Sequence, residues 1–193
     1  NENDLKSCHK MNMQNKRDIR ATAKTAVRAM DDTQKAVASA SIFEYVMNME
    51  CVCRAATIAL FSSLPDEPQT ACTIATLAAD GKRVVLPRVD GDNMDFFVYA
   101  PSAEGVRGQL ASGAFGIAEP QGAERVAPSA IDVIVVPGVG FTRDGVRCGR
   151  GRGYYDKYLS RNDFRGFIIG VCYECQIFDE IPAEEHDVRM DEV

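Results

Sequence analysis

The chain has 193 residues, of which 46% are hydrophobic and 26% charged, and its formal net charge is −6. This length suits one compact domain with a sizeable core and is short for two domains. The acidic balance argues against a protein whose main role is to coat nucleic acid or anionic membrane, so an anionic ligand would need a local cluster of cations.

The first predicted elements are a polar segment and two helices. Residues 1–14 are polar and aperiodic, and we expect them to form a loose terminal segment. From residue 15 to residue 30, apolar side chains recur at three- and four-residue spacing, which predicts an amphipathic helix. The Asp-Asp-Thr sequence at 31–33 is predicted to cap a second helix. The apolar face of that helix would carry Val37, Ala40, Phe43 and Val46 or Met47.

Short apolar runs bounded by turn residues predict strands, and they alternate with helical patterns. The strands are expected at 56–61, 83–87, 94–99, 131–137 and 166–173. Further helices are expected at 70–79 and from residue 154 to about residue 161. Glycines leave 104–121 unassigned. The alternation predicts an α/β fold with one domain over residues 15–193, in which helices flank a largely parallel sheet on both faces in a Rossmann-like three-layer α/β/α arrangement.

The chemistry is predicted to lie beyond the carboxyl ends of the strands, because ligands of parallel sheets bind there. This directs attention to the loops that follow Phe61, Pro87 and Pro137. The last of these loops contains glycine at every second position from 149 to 153. Such positions let the backbone approach a ligand closely.

Cations are concentrated in the same segment of this acidic chain. They are Arg143, Arg147, Arg150, Arg152 and Lys157, against the carboxylates Asp144 and Asp156. Arginine binds phosphate in bidentate fashion, and amides at the start of the following helix also suit phosphate. Asp156, one turn into that helix, is a candidate ligand for magnesium beside the phosphates.

The glycine spacing by itself leaves three interpretations open. Gly-x-Gly-x-Gly is neither the dinucleotide fingerprint nor the P-loop. A phosphate-binding loop, a plain structural turn and a flexible RNA-binding segment all fit a stretch rich in glycine and arginine. The segment is short and lies between a strand and a helix of an acidic chain, which favours phosphate binding and counts most against RNA.

The same stretch resembles a long signature of the 5-formyltetrahydrofolate cyclo-ligase family. The matching motifs are Pro137-Gly138-Val139-Gly140-Phe141, Gly145-Val146-Arg147 and Gly149-Arg150-Gly151-Arg152-Gly153-Tyr154-Tyr155-Asp156. Thr142 replaces the usual aspartate of the signature, and Cys148 replaces a common leucine. Further matches, in the order of the family, are Lys16-Arg17-Asp18-Ile19-Arg20, Asp66-Glu67-Pro68, Leu86-Pro87-Arg88, Met94-Asp95, Glu119-Pro120, Gln176 and Met190-Asp191-Glu192-Val193.

The resemblance implies a role for each matching position. The catalytic residues would be Arg150, Arg152 and Tyr155. The residues in contact with ATP would be Lys16, Arg20, Arg147, Gly149, Arg150, Gly151, Arg152, Gly153, Tyr154, Tyr155 and Asp156. The residues in contact with the folate would be Ser62, Glu67, Met94 and Tyr154. Asp156 and Asp191 would bind Mg²⁺, and we expect a segment beyond Val193 to steady Asp191.

The activity that the resemblance implies is the ATP- and Mg²⁺-dependent conversion of 5-formyltetrahydrofolate to 5,10-methenyltetrahydrofolate, ADP and phosphate, through a phosphorylated formyl (iminium phosphate) intermediate. Phosphoryl transfer needs alignment and charge neutralisation more than a protein nucleophile, which fits a chain with 2 histidines. Two other classes stay open. They are another ATP-dependent phosphotransferase acting on a small metabolite, and a non-catalytic module that binds folate or nucleotide.

Expected partners are the folate and ATP, with no nucleic acid and no membrane, and we expect a monomer or a weak homodimer. No apolar run reaches the roughly 18 residues of a membrane span. The 7 cysteines are scattered and follow no signal-peptide pattern, which favours a reducing, cytoplasmic setting. Cys172 and Cys175 have the spacing of a redox or metal pair, but small buried side chains are the favoured interpretation of the cysteines. His186 is expected at the surface.

Overall fold

The computed structural model describes residues 15–99, 110–112, 118–120 and 124–193, with the backbone alone at 110–112 and 118–120. The predicted loose segment 1–14 and most of the unassigned stretch 104–121 lie outside the described residues. The helices are α1 (Lys16–Arg28), α2 (Asp32–Asn48), α3 (Glu50–Arg54), α4 (Ala71–Ala79) and α5 (Tyr154–Leu159). The strands are β1 (Thr57–Ala59), β2 (Arg83–Asp90), β3 (Asn93–Val98), β4 (Leu110–Ser112), β5 (Ala118–Pro120), β6 (Arg125–Val126), β7 (Val133–Pro137), β8 (Gly140–Phe141), β9 (Arg147–Cys148) and β10 (Phe167–Val171).

The main sheet has the strand order β10-β7-β1-β2-β3-β6. Strands β10, β7, β1 and β2 run parallel to their neighbours, whereas β3 pairs antiparallel with both β2 and β6. The prediction of a largely parallel sheet is therefore confirmed. A tight hairpin joins β2 to β3, and this antiparallel pair contributes to the wall of the cavity described below.

Helices α2, α3 and α4 cover one face of the sheet. The buried side chains there are Phe43, Val46, Val52, Ile74 and Leu77 from the helices and Ile58, Leu60, Val84, Leu86, Val133 and Val135 from the strands. Strand residues at alternate positions share a face, so Ile134 and Val136 of β7 point to the opposite side. Burying an apolar side chain of this size stabilises the fold by roughly 1.5–3 kcal/mol.

Helix α2 differs from its prediction in the residues that it buries. A capping box between Asp31 and Gln34 starts the helix as expected. However, Val37 is 63% exposed and Ala40 is exposed, so they are not part of the apolar face. Ser39 is buried instead, because its hydroxyl donates to the carbonyl of residue 35 (2.6 Å) and accepts from the amide of residue 69 (2.9 Å).

The short helix α5 covers the opposite face, which confirms helices on both faces. Tyr158 and Leu159 pack with Phe96, Ile134 and Ile168, and the rings of Tyr158 and Phe96 lie edge to face with centroids 4.9 Å apart. The helix has 6 residues and ends at Leu159, two residues before its predicted end. A helix this short contributes little macrodipole, so the charge at its start comes mainly from side chains.

Helix α1 packs against the β8–β9 hairpin, and this hairpin lies inside the segment that the sequence predicted as a loop. Ile19 and Ala23 contact Val146, Cys148 and Phe178 in a separate apolar cluster. The helix begins at the cap residue Asn15, as predicted. Each hairpin strand has 2 residues, too short to show a periodic pattern. Among the described residues, no helix is long and apolar enough to cross a membrane.

Candidate active site

A cavity of about 350 Å³ opens at the carboxyl ends of β1, β2 and β7. The loops after Phe61 and Pro137 contribute to its wall, and so do Pro87 and Val89. The predicted loop after Pro87 is wrong, because β2 continues to Asp90 in its pairing with β3. The predicted site residues that line it are Ser62, Glu67, Met94, Arg147, Gly149, Arg150, Arg152, Gly153, Tyr154 and Tyr155. The strand order of the sheet thus brings together residues that are up to about ninety positions apart in the sequence. Lys16, Arg20, Gly151, Asp156 and Asp191 do not line this cavity among the described residues.

Glu67 is the buried acidic group of the cavity. It is 5% exposed, and its Oε2 accepts a hydrogen bond from the amide of Leu64 at 3.0 Å. Its Oε1 accepts two hydrogen bonds from Arg150, from Nε at 3.1 Å and from Nη2 at 2.9 Å. Burial raises the pKa of the Glu67 carboxyl, against the opposing effect of Leu64 and Arg150. A carboxyl held in this way can accept hydrogen bonds from the amino and ring N–H groups of a planar heterocycle.

Arg150 is shared between two carboxylates of the loop after β1. Besides Glu67, its Nη2 donates to Oδ1 of Asp66 at 2.6 Å. Asp66 is more exposed than Glu67, with a side chain 38% accessible against 6%. Burial acts to raise the pKa of Asp66, but the hydrogen bond and charge of Arg150 outweigh it, and the pKa is lowered. Sequence analysis assigned Arg150 to phosphate and did not anticipate its contact with Glu67, which lies 83 residues earlier in the chain.

The loop that carries Glu67 is fixed by hydrogen bonds from three buried or half-buried side chains. Ser63 Oγ donates to the carbonyl of residue 68 at 2.7 Å and accepts from the amide of Thr70 at 2.8 Å. Thr70 Oγ1 donates to the carbonyl of Phe61 at 2.7 Å. Tyr173, which follows β10, donates from Oη to the carbonyl of Glu67 at 3.0 Å. These contacts set the direction of the carboxylate, and no local sequence pattern predicts the contact of Tyr173.

Arg147 is the buried cation of the cavity floor and is 6% exposed. Its Nη2 donates to Oδ2 of Asp156 at 2.8 Å and its Nη1 to the carbonyl of Pro137 at 3.2 Å. Its guanidinium carbon lies 5.5 Å from the ring centre of Tyr155. Within the described ranges, its Nε is buried without a hydrogen-bond partner. The geometry therefore makes Arg147 a residue that holds Asp156 and the strand end in place.

The glycine-rich loop is shaped by these arginines. A Cβ built on Gly149 would lie 2.8 Å from Nη1 of Arg147, so a side chain there would displace the guanidinium. Arg20 of α1 donates from Nε to the carbonyl of Gly149 at 2.8 Å. Gly153, with φ of 69°, stands in the left-handed region as the residue that begins α5. Arg152 is exposed at the cavity wall.

Lys16 lies at the start of α1, away from the cavity lining. Its Nζ donates to Oδ1 and Oδ2 of Asp187 at 2.9 and 2.6 Å, and Oε2 of Glu184 is 3.5 Å away. Glu184, His186 and Asp187 have potential metal-ligand atoms within 4.8 Å of one another, and Lys16 already binds two of the three. His186 is 73% exposed, as expected. The predicted ATP contact of Lys16 stays a prediction.

Met94, Tyr154 and Tyr155 form an apolar and aromatic part of the cavity wall. Met94 is 6% exposed, and Tyr154 donates from Oη to the carbonyl of Gly91 at 3.2 Å in the β2–β3 turn. Tyr155 follows Tyr154 on α5, and burial, with the charge of Glu67 as the next cause, raises the pKa of its hydroxyl. Tyr155 therefore stays protonated and can donate a hydrogen bond. A flat ring could be enclosed between this wall and the polar end.

The two predicted magnesium ligands are in different places. Asp156 is half-buried beside the cavity, and Arg147 donates to its Oδ2. Within the described ranges Oδ1 has no hydrogen-bond partner, so it is available to a cation. Asp191 is on the segment beside β10, where its Oδ2 accepts from the amide of Ile168 at 2.7 Å. Ile168 is three residues, or roughly 10 Å, before the carboxyl end of β10. One carboxylate with phosphate oxygens and waters is a common Mg²⁺ environment, so the donor set at Asp156 fits the ion.

The described cysteines range from buried through half-buried to exposed. Cys148 is buried, whereas Cys53 and Cys72 are exposed, which corrects the interpretation that all the cysteines are buried. Burial raises the pKa of Cys172 to about 12 and also raises that of Cys175. Thiols with raised pKa values are poor nucleophiles and poor metal ligands, so neither residue has the electrostatic setting of a redox pair.

Comparison with known proteins gives one consistent family. Residues 12–193 match the 5-formyltetrahydrofolate cyclo-ligase family. The chain is 31% identical over 188 residues to the 5-formyltetrahydrofolate cyclo-ligase of Mus musculus, covering 92% of each chain, and 34% identical over 151 residues to that of Escherichia coli K12, covering 75% of this chain and 80% of the other. The solution structure of Aquifex aeolicus 5,10-methenyltetrahydrofolate synthetase superposes with a TM-score of 0.79 at 28% identity, over 91% of this chain and 87% of that one.

Proposed function

The chain belongs to the 5-formyltetrahydrofolate cyclo-ligase family, and we propose that it converts 5-formyltetrahydrofolate and ATP into 5,10-methenyltetrahydrofolate, ADP and phosphate with the help of Mg²⁺. The observation that carries this proposal is the pairing of Glu67 with Arg150 in one cavity. That contact joins the carboxylate suited to a heterocycle with an arginine suited to phosphate. The formyl oxygen of the folate must reach the γ-phosphorus of ATP in such a reaction. The two substrates must therefore bind in the same cavity.

The proposed reaction has two steps. The formyl oxygen on N5 attacks the γ-phosphorus of ATP, ADP leaves, and an N5 iminium phosphate forms. N10 then attacks the formyl carbon and loses its proton, and phosphate departs with the former formyl oxygen to leave the methenyl bridge. Phosphoryl transfer of this kind depends on positioning and on neutralising charge, so no protein nucleophile is needed.

The residues of the chain are assigned to those two requirements. Glu67 and Tyr155 hold the polar edge of the pterin, and Met94 packs against its face. Arg150 and Arg152 neutralise the transferred phosphoryl group, while the amides of residues 149–153 position it. Arg20 holds the loop through Gly149, as its hydrogen bond of 2.8 Å supports.

Magnesium is proposed at Asp156, whose free oxygen fits a hard cation. When bound, the ion would neutralise the charge of the phosphate oxygens. Arg147 keeps the Asp156 side chain oriented through its 2.8 Å contact. We propose Asp191 as a second ligand of the ion. We also propose that residues 15–193 form a single domain, that the protein is a monomer or a weak dimer, and that it is cytoplasmic.

The test is the appearance of the methenyl-folate absorbance band when purified protein is mixed with 5-formyltetrahydrofolate, ATP and Mg²⁺. We expect a rise that requires all three and that falls by about a hundredfold in Arg150→Gln, the size of effect seen when one donor to developing charge is removed. Arg143→Gln, an exposed cation of the same segment with a side chain 74% accessible, is the matched control and should retain the rate.

The outcomes also separate the other classes. ATP turnover without any need for the folate would support a different phosphotransferase. Binding of folate or nucleotide by folded protein with no absorbance rise would indicate a non-catalytic module. A rise unaffected by Arg150→Gln would reject the assignment of that residue.

A further inference from the structure

A second groove continues from the cavity between the β2–β3 hairpin and α5. It has a volume of about 700 Å³ and shares Met94 and Tyr154 with the cavity wall. Met94 and Tyr154 line both spaces, whereas Glu67 lines the cavity and not the groove. A substrate whose heterocycle contacts Glu67 would therefore direct its remaining part toward the groove.

Two cations that line this groove have no carboxylate partner among the described residues. Arg88 is the cross-strand neighbour of Asp95, but its guanidinium carbon lies 3.6 Å from the centre of the Phe97 ring. Asp95 pairs instead with Arg125 at 3.0 Å and with Arg161 at 2.7 Å. In the described part of the chain, no carboxylate oxygen lies within 4.0 Å of Arg88, and the same holds for the exposed Lys157.

The charges of the groove favour an anion at this point. Arg125 and Arg161 share the carboxylate of Asp95, and Arg161 also lies 3.8 Å from the exposed Asp163. The excess of positive charge in the groove therefore comes from Arg88 and Lys157. The remaining acidic side chains, Asp90 and Asp92, are exposed at the hairpin turn, where solvent screens them. The groove is thus locally cationic in a chain with a formal net charge of −6.

We propose that this groove binds the glutamyl carboxylates of the folate substrate through Arg88 and Lys157. The inference rests on the proposed function, because it takes the folate as the occupant of the cavity. The substrate has a planar head, an aromatic spacer and an acidic tail. Glu67 lines the cavity alone, Met94 and Tyr154 line both spaces, and Arg88 and Lys157 line the groove alone. Tyr154, at the junction, is placed to contact the spacer.

The test compares two substrates that differ only in the tail. They are 5-formyltetrahydrofolate and 5-formyltetrahydropteroate, which lacks glutamate. The readout is the ratio of their KM values, measured in the wild type, in Arg88→Gln/Lys157→Gln, and in the control Arg28→Gln/Arg54→Gln, which removes two exposed cations elsewhere. We expect the wild type to prefer the glutamate-bearing substrate by about tenfold, the size of two partly exposed charge contacts.

The expected result is that the ratio falls toward one in the groove variant and keeps its wild-type value in the control. A ratio unchanged in the groove variant, or reduced equally in both, would overturn the proposal. Equilibrium binding of the two compounds without ATP gives the same ratio independently of catalysis. If that ratio follows the groove residues while no methenyl-folate forms, the proposed function fails and the tail site stands.

Discussion

Ion pairs between basic and acidic side chains occur in two regions of the molecule, one at the cavity and one outside it. On the cavity floor, Arg147 and Arg150 bind Asp156 and Glu67, and all four belong to the site or support it. At the edge where α1 meets the segment 184–187, Lys16 binds Asp187 outside the cavity lining. In the first region Glu67 lines the cavity and Asp156 stands beside it, and we propose that both carboxylates bind the substrates or their metal ion. In the second, the pair fastens two segments together.

The comparison predicts that Arg147 is the most costly residue to lose. Arg147→Met would leave Asp156 and the carbonyl of Pro137 without their buried donor, and we expect the free energy of unfolding to fall by about 3 kcal/mol. Denaturant unfolding measures this change. The control Arg143→Met removes an arginine whose ion pair with Glu174 is exposed, and should change the value by less than about 1 kcal/mol. Equal losses in the two variants would remove the distinction between buried and exposed arginines.

Glu67 should be the most important residue for substrate affinity. Glu67→Gln keeps the volume but changes the acceptors, and we expect KM for 5-formyltetrahydrofolate to rise by about 10- to 100-fold, the equivalent of one lost charged hydrogen bond. Because burial raises the pKa of this carboxyl, its charge is costly in the fold, and stability should change little.

Asp66→Asn is the matched variant for Glu67→Gln, because both carboxylates bind the same Nη2 of Arg150. We expect it to change KM for the folate by less than about threefold, since Asp66 is more exposed and lies outside the cavity lining. Similar KM values in the two variants would mean that the carboxylates act only by holding Arg150.

The sequence could predict which residues form the site, but not which of them contact one another. The motif from Gly149 to Asp156 is long enough to be specific, so its position at the cavity could be expected. The contact between Arg150 and Glu67 depends on the strand order β7-β1-β2, which local patterns do not contain. In the same way, Ser39 on the buried side of α2 is explained by hydrogen bonds to residues 35 and 69, which a count of apolar residues does not include.

A smaller effect is expected at the edge region. Lys16→Gln should raise KM for ATP by up to about fivefold, the size of one partly screened charge contact, and leave KM for the folate unchanged. Arg17→Gln, the adjacent exposed cation on α1, serves as the control. If Lys16→Gln lowered the rate of methenyl-folate formation as much as Arg150→Gln, Lys16 would belong to the active site. The contrast between the two regions would then be wrong.

The smallest predicted effect is a pH dependence at Asp187. Burial acts to raise the pKa of this carboxyl, but the hydrogen bond from Lys16 outweighs it and lowers the pKa below its ordinary value of 3.8. The stability contributed by a lowered pKa is present above the ordinary value and is lost as pH falls through the folded value. We therefore expect Asp187→Asn to be less stable than the wild type by about 1 kcal/mol at neutral pH and equally stable once the pH falls below the folded pKa. A difference that persisted there would mean that the lost stability is not electrostatic.

The measurement that tests the central claim most directly is the crystal structure of the protein with 5-formyltetrahydrofolate and ADP bound. The account predicts the pterin edge on Glu67, its face on Met94, and the phosphates beside Arg150 and the amides of residues 149–153. A folate bound away from Glu67, or phosphates bound away from that loop, would contradict the claim that this one cavity brings the two substrates together.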